Sequence, residues 1–358
     1  MNKLGIYIHV PFCLKKCGYC DFYSVCDMSA RREYTERLIR DIYSKSEMAR
    51  DCAVDTIYFG GGTPSLLSCR DFEDITDALR KSFSIEKNAE FTVEVNPATV
   101  DTKKAQTYAK CGVNRVSIGM QTRDKKELEV IGRIHTNEDF DNTVAFIRKA
   151  GIDNISVDVM YALPSQRENT LSDTLDYVIS QDFSHVSTYC LKLEQGTPMY
   201  ESGVLQPSEE EQFSMYSLIS DKLVSAGYEH YEISNFAKPG FASRHNMRYW
   251  RMEEYLGFGP GAYSYFGGSR FGVDKDISAY IEGKERIVDI DTVDGKTYDF
   301  ERIMLGLRLS YGVELNILEP EKVKMLVDGG YGKLDSGRFS LTTKGFFVSN
   351  EIICFLTD

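Results

Sequence analysis

The feature that most constrains the fold is a repeated alternation of short β-type runs and longer helix-type stretches over roughly the first 235 residues. Runs rich in β-branched and aromatic residues predict strands at Gly5–Val10, Thr56–Phe59, Glu90–Val95, Arg115–Met120, Asn154–Met160, His185–Leu193 and Glu229–Ser234. Stretches with apolar residues at helical spacing predict helices at Arg31–Arg50, Asp71–Phe83, Thr102–Lys110, Glu138–Ala150, Leu171–Ser180 and Glu209–Ala226. This alternation predicts parallel strands with helices outside, closed or partly closed into a barrel.

In a barrel of this kind, functional groups lie where the strands end and the loops begin. Polar or glycine-rich segments follow six successive predicted strands. They are a cysteine loop after the first, then Gly60–Pro64, Glu94–Pro97, Gln121, Asp158 with Tyr161–Pro164, and Lys192 with Glu194. Packing does not account for six such strand ends in a row. We therefore expect one functional site at this rim.

The pattern changes after about residue 236. Residues 238–272 are dense in glycine and aromatic residues. This composition indicates a connecting segment whose side chains line a ligand site or a neighbouring part of the protein. Further on, the sequence predicts helices at Asp299–Leu309, Ile317–Leu326 and Lys344–Cys354 and a short strand at Arg338–Leu341. We expect a barrel over 1–236, a connecting segment over 237–290, and a small, mainly helical, winged-helix-like domain over 291–358.

The most specific motif is a C-x3-C-x2-C spacing that places Cys13, Cys17 and Cys20 on one short loop. Thiolates are soft ligands suited to iron–sulfur clusters or zinc. A structural zinc ion normally takes four protein ligands, and no fourth Cys or His follows here. Lys15 and Lys16 favour ionised thiols because neighbouring cations lower a thiol pKa. A zinc loop or three unrelated thiols stay open as alternatives.

The motif resembles that of radical S-adenosylmethionine (SAM) enzymes. From Tyr7 to about Phe266, the chain is similar to the oxygen-independent coproporphyrinogen III oxidase family, and within it to the oxidase-like branch regarded as heme chaperones. The resemblance implies an α/β fold: a partial (β/α)6 TIM-like barrel with a small, mainly helical C-terminal domain. It also implies a [4Fe-4S] cluster on the three cysteines. SAM would bind the open iron, and electron transfer would cleave its sulfonium.

The resemblance also assigns residues to the cofactor. Gly60, Gly61 and Gly62 let the backbone approach a ligand closely, and with Thr63 they match positions near the cofactor's amino group. Among the other matching positions, Glu94 and Asp158 offer carboxylate acceptors and Gln121 offers an amide. Arg133 offers a guanidinium fork for the cofactor's carboxylate. Tyr7 and Tyr19 match rings beside the cluster and the adenine. Lys192 matches a contact position only loosely. Taken singly, each polar residue is more often solvated or salt-bridged than a ligand, and only the matching order of the positions reverses this; for the two tyrosines, a core position is an equal alternative.

A second motif reads His245-Asn246-x-x-Tyr249-Trp250 and contains the single tryptophan of the chain. Aromatic rings can stack on a flat macrocycle, and an imidazole can bind its iron. The heme-chaperone branch carries this motif, which makes His245 a candidate heme contact. The alternative is a capped turn whose histidine is hydrogen-bonded within a domain interface.

The sequence departs from the oxidase pattern at two positions. Oxidases of this family have a further cysteine close after the third, where this chain has Phe22, and the difference favours the oxidase-like branch. The family often has a histidine where this chain has Tyr263, so the role of that position is in doubt unless the phenol replaces the imidazole.

Two main functional hypotheses follow. The first is a heme chaperone that binds heme and delivers it to apo-proteins such as respiratory enzymes; the second is oxidative decarboxylation of coproporphyrinogen III to protoporphyrinogen IX. Another radical reaction on tetrapyrroles ranks lower, and a zinc-bound α/β protein is the fallback. The expected partners are heme or a porphyrinogen, apo-hemoprotein recipients, and an electron donor such as a flavodoxin or a ferredoxin.

Composition excludes other classes. The formal charge is −12, from 42 basic and 54 acidic side chains, and no block of five Lys or Arg occurs, which argues against a nucleic-acid partner. We find no signal-peptide pattern and no run of roughly 18 apolar residues, so we expect a cytoplasmic protein without a transmembrane segment. The six scattered cysteines are expected to be reduced and mostly buried; they are Cys26, Cys52, Cys69, Cys111, Cys190 and Cys354.

Overall fold

The computed structural model describes residues 1–357 and confirms the predicted α/β fold. Six parallel strands lie side by side in chain order: β1 (Asn2–Val10), β2 (Cys52–Gly61), β3 (Ser84–Val95), β4 (Arg115–Gln121), β5 (Ile155–Tyr161) and β6 (His185–Cys190). The connecting helices are α1 (Arg31–Ser46), α2 (Cys69–Ser82), α3 (Thr102–Lys110), α4 (Lys125–Val130), α5 (Asn137–Lys149) and α6 (Glu168–Ser180). Parallel neighbours require such helical crossovers, so the strand–helix alternation led to the correct topology.

Each of these strands has one apolar face and one polar or aromatic face. In β1, Ile6, Ile8 and Val10 are fully buried in the hydrophobic core, while Tyr7 and His9 alternate with them. The same alternation places a set of polar side chains on the opposite face of the neighbouring strands, among them Thr56, Tyr58, Glu94, Arg115, Ser117, Asp158 and His185. Because side chains alternate along a strand, one face of the sheet is polar although most of it is buried.

One predicted strand lies one place further out in the sheet than expected. The chain continues through α7 (Pro198–Glu201) and α8 (Glu209–Ser225) into β7 (Glu229–Glu232) and β8 (Asn235–Ala237). β8 pairs antiparallel with β6, and β7 pairs antiparallel with β8 at the sheet edge. β7 therefore keeps the direction of β1–β6, as expected, but it does not pair with β6. A two-residue reversal between β7 and β8 lets β8, which the sequence analysis did not predict, take the place beside β6.

The segment after β8 contains more regular structure than the sequence predicts. It begins with α9 (Arg244–Trp250) and adds β9 (Tyr255–Phe258), β10 (Tyr263–Phe266), β11 (Ser269–Val273), α10 (Ile277–Glu282) and β12 (Ile287–Thr292). β9 pairs parallel with β1, and the next strands continue outward as antiparallel neighbours. Within residues 1–357 the end strands β12 and β7 are not paired, so the sheet stays open.

The rest of the chain forms α11 (Gly295–Gly306), β13 (Val313–Glu314), α12 (Pro320–Asp328), β14 (Gly332–Asp335), β15 (Arg338–Leu341), α13 (Thr343–Phe347) and α14 (Ser349–Thr357). Its three strands make a separate small sheet in the order β13-β15-β14. The three domain ranges stay a prediction, and Asp358 lies outside the described residues. None of the helices between residues 1 and 357 combines the length and apolar character needed to cross a membrane.

Candidate functional site

The cysteine loop is anchored at both ends. It leaves β1 at Val10 and returns at Val25, where Cys13 N donates to the Val25 carbonyl (3.0 Å) and Val25 N donates to the Pro11 carbonyl (2.7 Å). The ring of Phe12 is fully buried against Tyr34, with 5.3 Å between the ring centroids. The intervening loop, with its three thiols, is thereby fixed at the carboxyl end of β1.

The thiols of this loop face a cavity of about 520 Å³, which we call the cluster cavity. Residues from the ends of all six parallel strands, or the loops after them, contribute to its lining, as the sequence predicts for a barrel rim. The predicted site residues that line it are Cys13, Cys17, Tyr19, Cys20, Gly61, Gly62, Thr63, Glu94, Gln121, Arg133, Asp158 and Lys192. These twelve residues come from distant parts of the sequence and meet around the cluster cavity.

The arrangement of the thiols bears on which metal they can hold. Cys13, Cys17 and Cys20 come from one short loop and all line the cluster cavity. Three soft thiolates can each bind one iron of a [4Fe-4S] cluster and leave the fourth iron open, whereas a structural zinc ion normally takes four protein ligands. The donor set of this loop therefore fits a cluster.

Gly61 and Gly62 are required by close approaches of the chain. Gly61 has a φ of +105°, and a Cβ there would lie 2.6 Å from the ring of His9. A Cβ at Gly62 would lie 2.7 Å from the Phe12 carbonyl oxygen and 2.8 Å from that of Val10. The glycine loop therefore packs directly against the root of the cysteine loop, and only residues without a side chain allow this contact.

A chain of polar contacts joins the rim to the thiols. Thr63 Oγ1 lies 3.6 Å from Cys13 Sγ and accepts a hydrogen bond from Asn96 Nδ2 (2.9 Å). Arg133 Nη2 donates to Asn96 Oδ1 (3.0 Å), and its Nη1 lies 3.7 Å from Cys17 Sγ. The sequence predicts Asn96 only as part of a strand end. Nothing in the sequence indicates that its amide bridges Thr63 and Arg133.

Two half-buried carboxyl groups reach the cluster cavity from the polar face of the sheet. Glu94 Oε1 accepts a hydrogen bond from the Tyr58 phenol (2.7 Å), and Asp158 Oδ1 accepts one from Ser117 Oγ (3.1 Å). Burial raises the pKa of Glu94 to about 7 and that of Asp158 to about 6. Partial removal from water disfavours the charged form, and a cationic ligand would favour the ionised form again, because an opposite charge stabilises a carboxylate.

Three predicted residues take less direct positions. Tyr7 and Gly60 do not line the cluster cavity; Tyr7 Oη lies 3.2 Å from His9 Nδ1, and Gly60 leaves room for Tyr58 and Glu94. Lys192 lines the cavity, but its side chain is 81% exposed and forms an ion pair with Glu194 (2.6 Å). A direct cofactor contact stays a prediction for these three residues.

His245 is a fully buried residue on α9 with both ring nitrogens occupied. Nδ1 lies 2.9 Å from Thr56 Oγ1, and Nε2 lies 2.9 Å from the Tyr249 phenol oxygen. Burial lowers its pKa to about 3, so the ring is neutral. The heme contact of His245 stays a prediction, and it requires the ring to leave one of these two partners. Tyr263 lies on β10, where its phenol donates to Asp289.

A second cavity, which we call the outer cavity, lies on the other side of the His245 motif. It has a volume of about 260 Å³ and lies between β9–β11 and α11. Its lining is rich in rings and thioethers and includes one ion pair; the residues are Tyr249, Met252, Glu253, Tyr255, Tyr265, Arg270, Glu301, Met304 and Leu305. The sequence predicts that residues 238–272 line such a space, but it does not show that α11 contributes side chains to it.

Comparison with known proteins agrees with this geometry. Residues 7–178 match the model of the radical SAM superfamily. The chain is 36% identical to a protein named heme chaperone HemW from Lactococcus lactis, covering 98% of this chain and 97% of that one, and 34% identical to its Bacillus subtilis counterpart, covering 97% of each. Coproporphyrinogen III oxidase (HemN) from Escherichia coli has the same fold, with a TM-score of 0.85 at 20% identity over 99% of this chain and 90% of the other. The chain therefore belongs to the radical SAM superfamily, in the HemW branch of the coproporphyrinogen III oxidase-like family.

Proposed function

We propose that this protein is a heme chaperone, which binds heme and delivers it to apo-hemoproteins. The observation that carries the proposal is its similarity, over almost the full length of both chains, to proteins named heme chaperones. Phe22 supports it, because this position follows the third cysteine at the cluster cavity and cannot supply a further thiolate.

Membership of the radical SAM superfamily implies a [4Fe-4S] cluster and SAM. When bound, the cluster supplies an electron to the cofactor's sulfonium. We infer that Cys13, Cys17 and Cys20 hold the cluster. The glycine loop with Thr63 would meet the cofactor's amino group, and Arg133 its carboxylate, because a guanidinium fork fits a carboxylate.

Glu94, Asp158 and Gln121 are proposed to bind the remaining polar groups of SAM. Both carboxyl groups line the cluster cavity and are only partly exposed, so an ammonium or hydroxyl group of the ligand can supply hydrogen-bond donors that water provides incompletely there. Tyr19 lines the same cavity and is proposed to pack beside the cluster.

We infer that heme approaches from the outer cavity. Its tyrosine rings and its two methionines, Met252 and Met304, suit a flat apolar macrocycle, and Arg270 could accept a propionate if it released Glu301. Tyr249 lines this cavity and lies beside His245, so a shift of the Tyr249 phenol would free Nε2 of His245 for iron. This movement is part of the proposal.

One observation favours decarboxylation as the second candidate function. Lys15, Lys16, Lys192 and Arg133 line the cluster cavity, and basic groups near the cluster would bind the propionates of coproporphyrinogen. The similarity to HemN itself carries only the fold.

The remaining partners follow from the chemistry. Apo-hemoproteins such as respiratory enzymes are the proposed recipients, and a flavodoxin or ferredoxin is the proposed electron donor. We further propose a cytoplasmic location, because all nine cysteines are free, as a reducing compartment favours.

The test combines two assays on protein whose cluster has been reconstituted without oxygen. Heme is titrated and followed by its Soret absorbance, and coproporphyrinogen III conversion is assayed in parallel with SAM and a reductant. We expect heme binding with a dissociation constant at or below the micromolar range and no protoporphyrinogen. Rapid decarboxylation would contradict the chaperone proposal and support the second candidate.

The role of His245 is tested in the same titration. His245→Ala should weaken heme binding if the imidazole binds iron. His185→Ala is the matched control, because His185 is also fully buried with both nitrogens paired, to Ser156 Oγ (2.7 Å) and the Tyr231 phenol (2.8 Å). Equal heme affinity in the two variants would exclude His245 as a ligand.

A further inference from the structure

A buried relay connects the His245 motif with the cluster cavity. It ends in the Tyr58 phenol, which donates to Glu94 Oε1 at 2.7 Å. A Cβ at Gly60 would lie 2.9 Å from the Tyr58 ring and 3.2 Å from the Glu94 carboxyl carbon. The absence of a side chain at Gly60 therefore leaves space for this pair, and the pair fixes the carboxyl group that faces the cavity.

The position of the Tyr58 ring is set by other rings. His245 stacks on it, with 5.2 Å between centroids and 25° between planes, and Tyr7 stacks at 6.2 Å and 28°. His245 itself contacts Thr56 Oγ1 on β2 and the Tyr249 phenol on α9, each at 2.9 Å. Because Thr56 and Tyr58 are two residues apart on β2, the imidazole lies along the face of this strand that leads to Glu94.

We propose that, in the heme-free protein, Tyr58 and His245 are positioning residues: Tyr58 holds the carboxyl of Glu94 for SAM, and His245 holds Tyr58. The inference rests on the proposed function, since it takes Glu94 as a SAM contact. It also gives the His245 motif a role at the cluster cavity, although His245 does not line that cavity. The outer cavity, which Tyr249 lines, would be linked to SAM binding through the same contacts.

The surroundings of Glu94 make the Tyr58 hydrogen bond effective. Glu94 is half-buried, and the neighbouring elements contribute titratable or charged groups that face it. They are Tyr7 from β1, Tyr58 from β2, Arg115 from β4, Asp158 from β5, Tyr189 from β6 and Tyr249 from α9. Of these side chains, the Tyr58 phenol donates a hydrogen bond to the Glu94 carboxylate, which also accepts one from the Gly61 backbone N–H. A donor of this kind favours the ionised form, which a cationic ligand needs.

The experiment measures SAM affinity of the cluster-loaded protein from about pH 6 to about pH 8 in wild type and Tyr58→Phe. We expect wild-type affinity to rise with pH as Glu94 ionises. Tyr58→Phe should weaken binding about tenfold at neutral pH and move the rise to higher pH, because the carboxylate keeps only the Gly61 backbone N–H as a donor. Tyr228→Phe is the matched control: its phenol donates to the Phe183 carbonyl at 2.7 Å, remote from Glu94 in the hydrogen-bond network.

A double-mutant cycle tests His245. His245→Gln should shift the pH profile in the same direction by a smaller amount, and it should add no shift in the Tyr58→Phe background, because it acts through the phenol. If His245→Gln does not fold, Tyr249→Phe, which removes the Nε2 partner, takes its place with the same expectation.

The possible outcomes distinguish failure of the positioning roles from failure of the proposed SAM site. If wild-type protein binds SAM and Tyr58→Phe binds it with the same affinity and pH profile, the positioning role of Tyr58 is overturned and the proposed SAM site stands. Additive shifts in the cycle would overturn the role of His245. Cluster-loaded wild-type protein that does not bind SAM at all would overturn the proposed cofactor site and this inference with it.

Discussion

The contact between the glycine loop and the root of the cysteine loop can be tested by Gly61→Ala. Gly61 has a φ of +105°, and an added Cβ would lie 2.6 Å from two atoms of the His9 ring. The backbone conformation costs about 1–2 kcal/mol for a residue with a side chain. The clash adds about 1–3 kcal/mol, typical of an extra methyl group in a packed core. We therefore expect the free energy of unfolding to fall by about 2–5 kcal/mol.

Gly151→Ala separates the two contributions. Gly151 also has a positive φ of +86°, but an added Cβ meets nothing within 4 Å, so it should cost only about 1–2 kcal/mol. Both variants are compared by urea denaturation of the metal-free protein, which keeps stability apart from cluster loading. Equal losses in the two variants would refute the claim that His9 limits the space at Gly61.

The same substitution should also reduce cluster assembly. His9 Nε2 bonds the Tyr23 carbonyl in the cysteine loop at 2.9 Å, so displacement of the His9 ring moves the loop that carries the thiols. Iron and sulfide content after reconstitution should fall in Gly61→Ala and stay at the wild-type level in Gly151→Ala. Full iron loading of Gly61→Ala would show that the loop tolerates the displacement.

Three further predictions concern other parts of the molecule. Cys17→Ser should abolish iron loading, whereas Cys26→Ser, an exposed thiol beyond the motif, should leave iron content unchanged; retention of iron in Cys17→Ser contradicts the ligand set. Burial raises the pKa of Glu232 from 4.5 to about 7, so the folded state keeps a proton that the unfolded chain releases, and the free energy of unfolding should fall as pH rises across this interval. Glu232→Gln should flatten that decline in urea denaturation, and an unchanged slope would contradict the assignment. Arg248→Ala should destabilise the protein by about 3 kcal/mol, because it removes the buried partner of the Asp55 carboxylate and leaves only the more exposed Arg244 beside it. Arg286→Ala should cost at most about 1 kcal/mol, because the Arg286 side chain is 81% exposed; similar losses would contradict the difference in burial between the two arginines.

The sequence was sufficient for the features that depend on local pattern. Strand–helix alternation led to the six parallel strands and their helices, and the cysteine spacing located the loop at the rim. The strand–helix alternation also predicted that Glu94 and Asp158, 64 residues apart, lie at one site, because each is near the carboxyl end of a parallel strand.

Features that depend on distant partners could not be predicted. The strand β9 is recognisable only because it pairs with β1, about 250 residues earlier in the sequence. The short strand β8 is recognisable only because it pairs antiparallel with β6, about 50 residues earlier in the sequence, and so separates β7 from β6. The hydrogen bonds that occupy both nitrogens of His245 come from β2 and α9, and a motif spaced along one helix does not show a partner on a strand.

The central claim is that this radical SAM protein passes heme to other proteins. The most direct measurement mixes the heme-loaded protein with an excess of an apo-hemoprotein and follows the Soret band of the recipient, with free heme at the same concentration as the reference. The account predicts that heme leaves this protein and appears in the recipient, faster or in higher yield than from free heme. Heme that stays bound to this protein, or transfer no better than from free heme, would contradict the account.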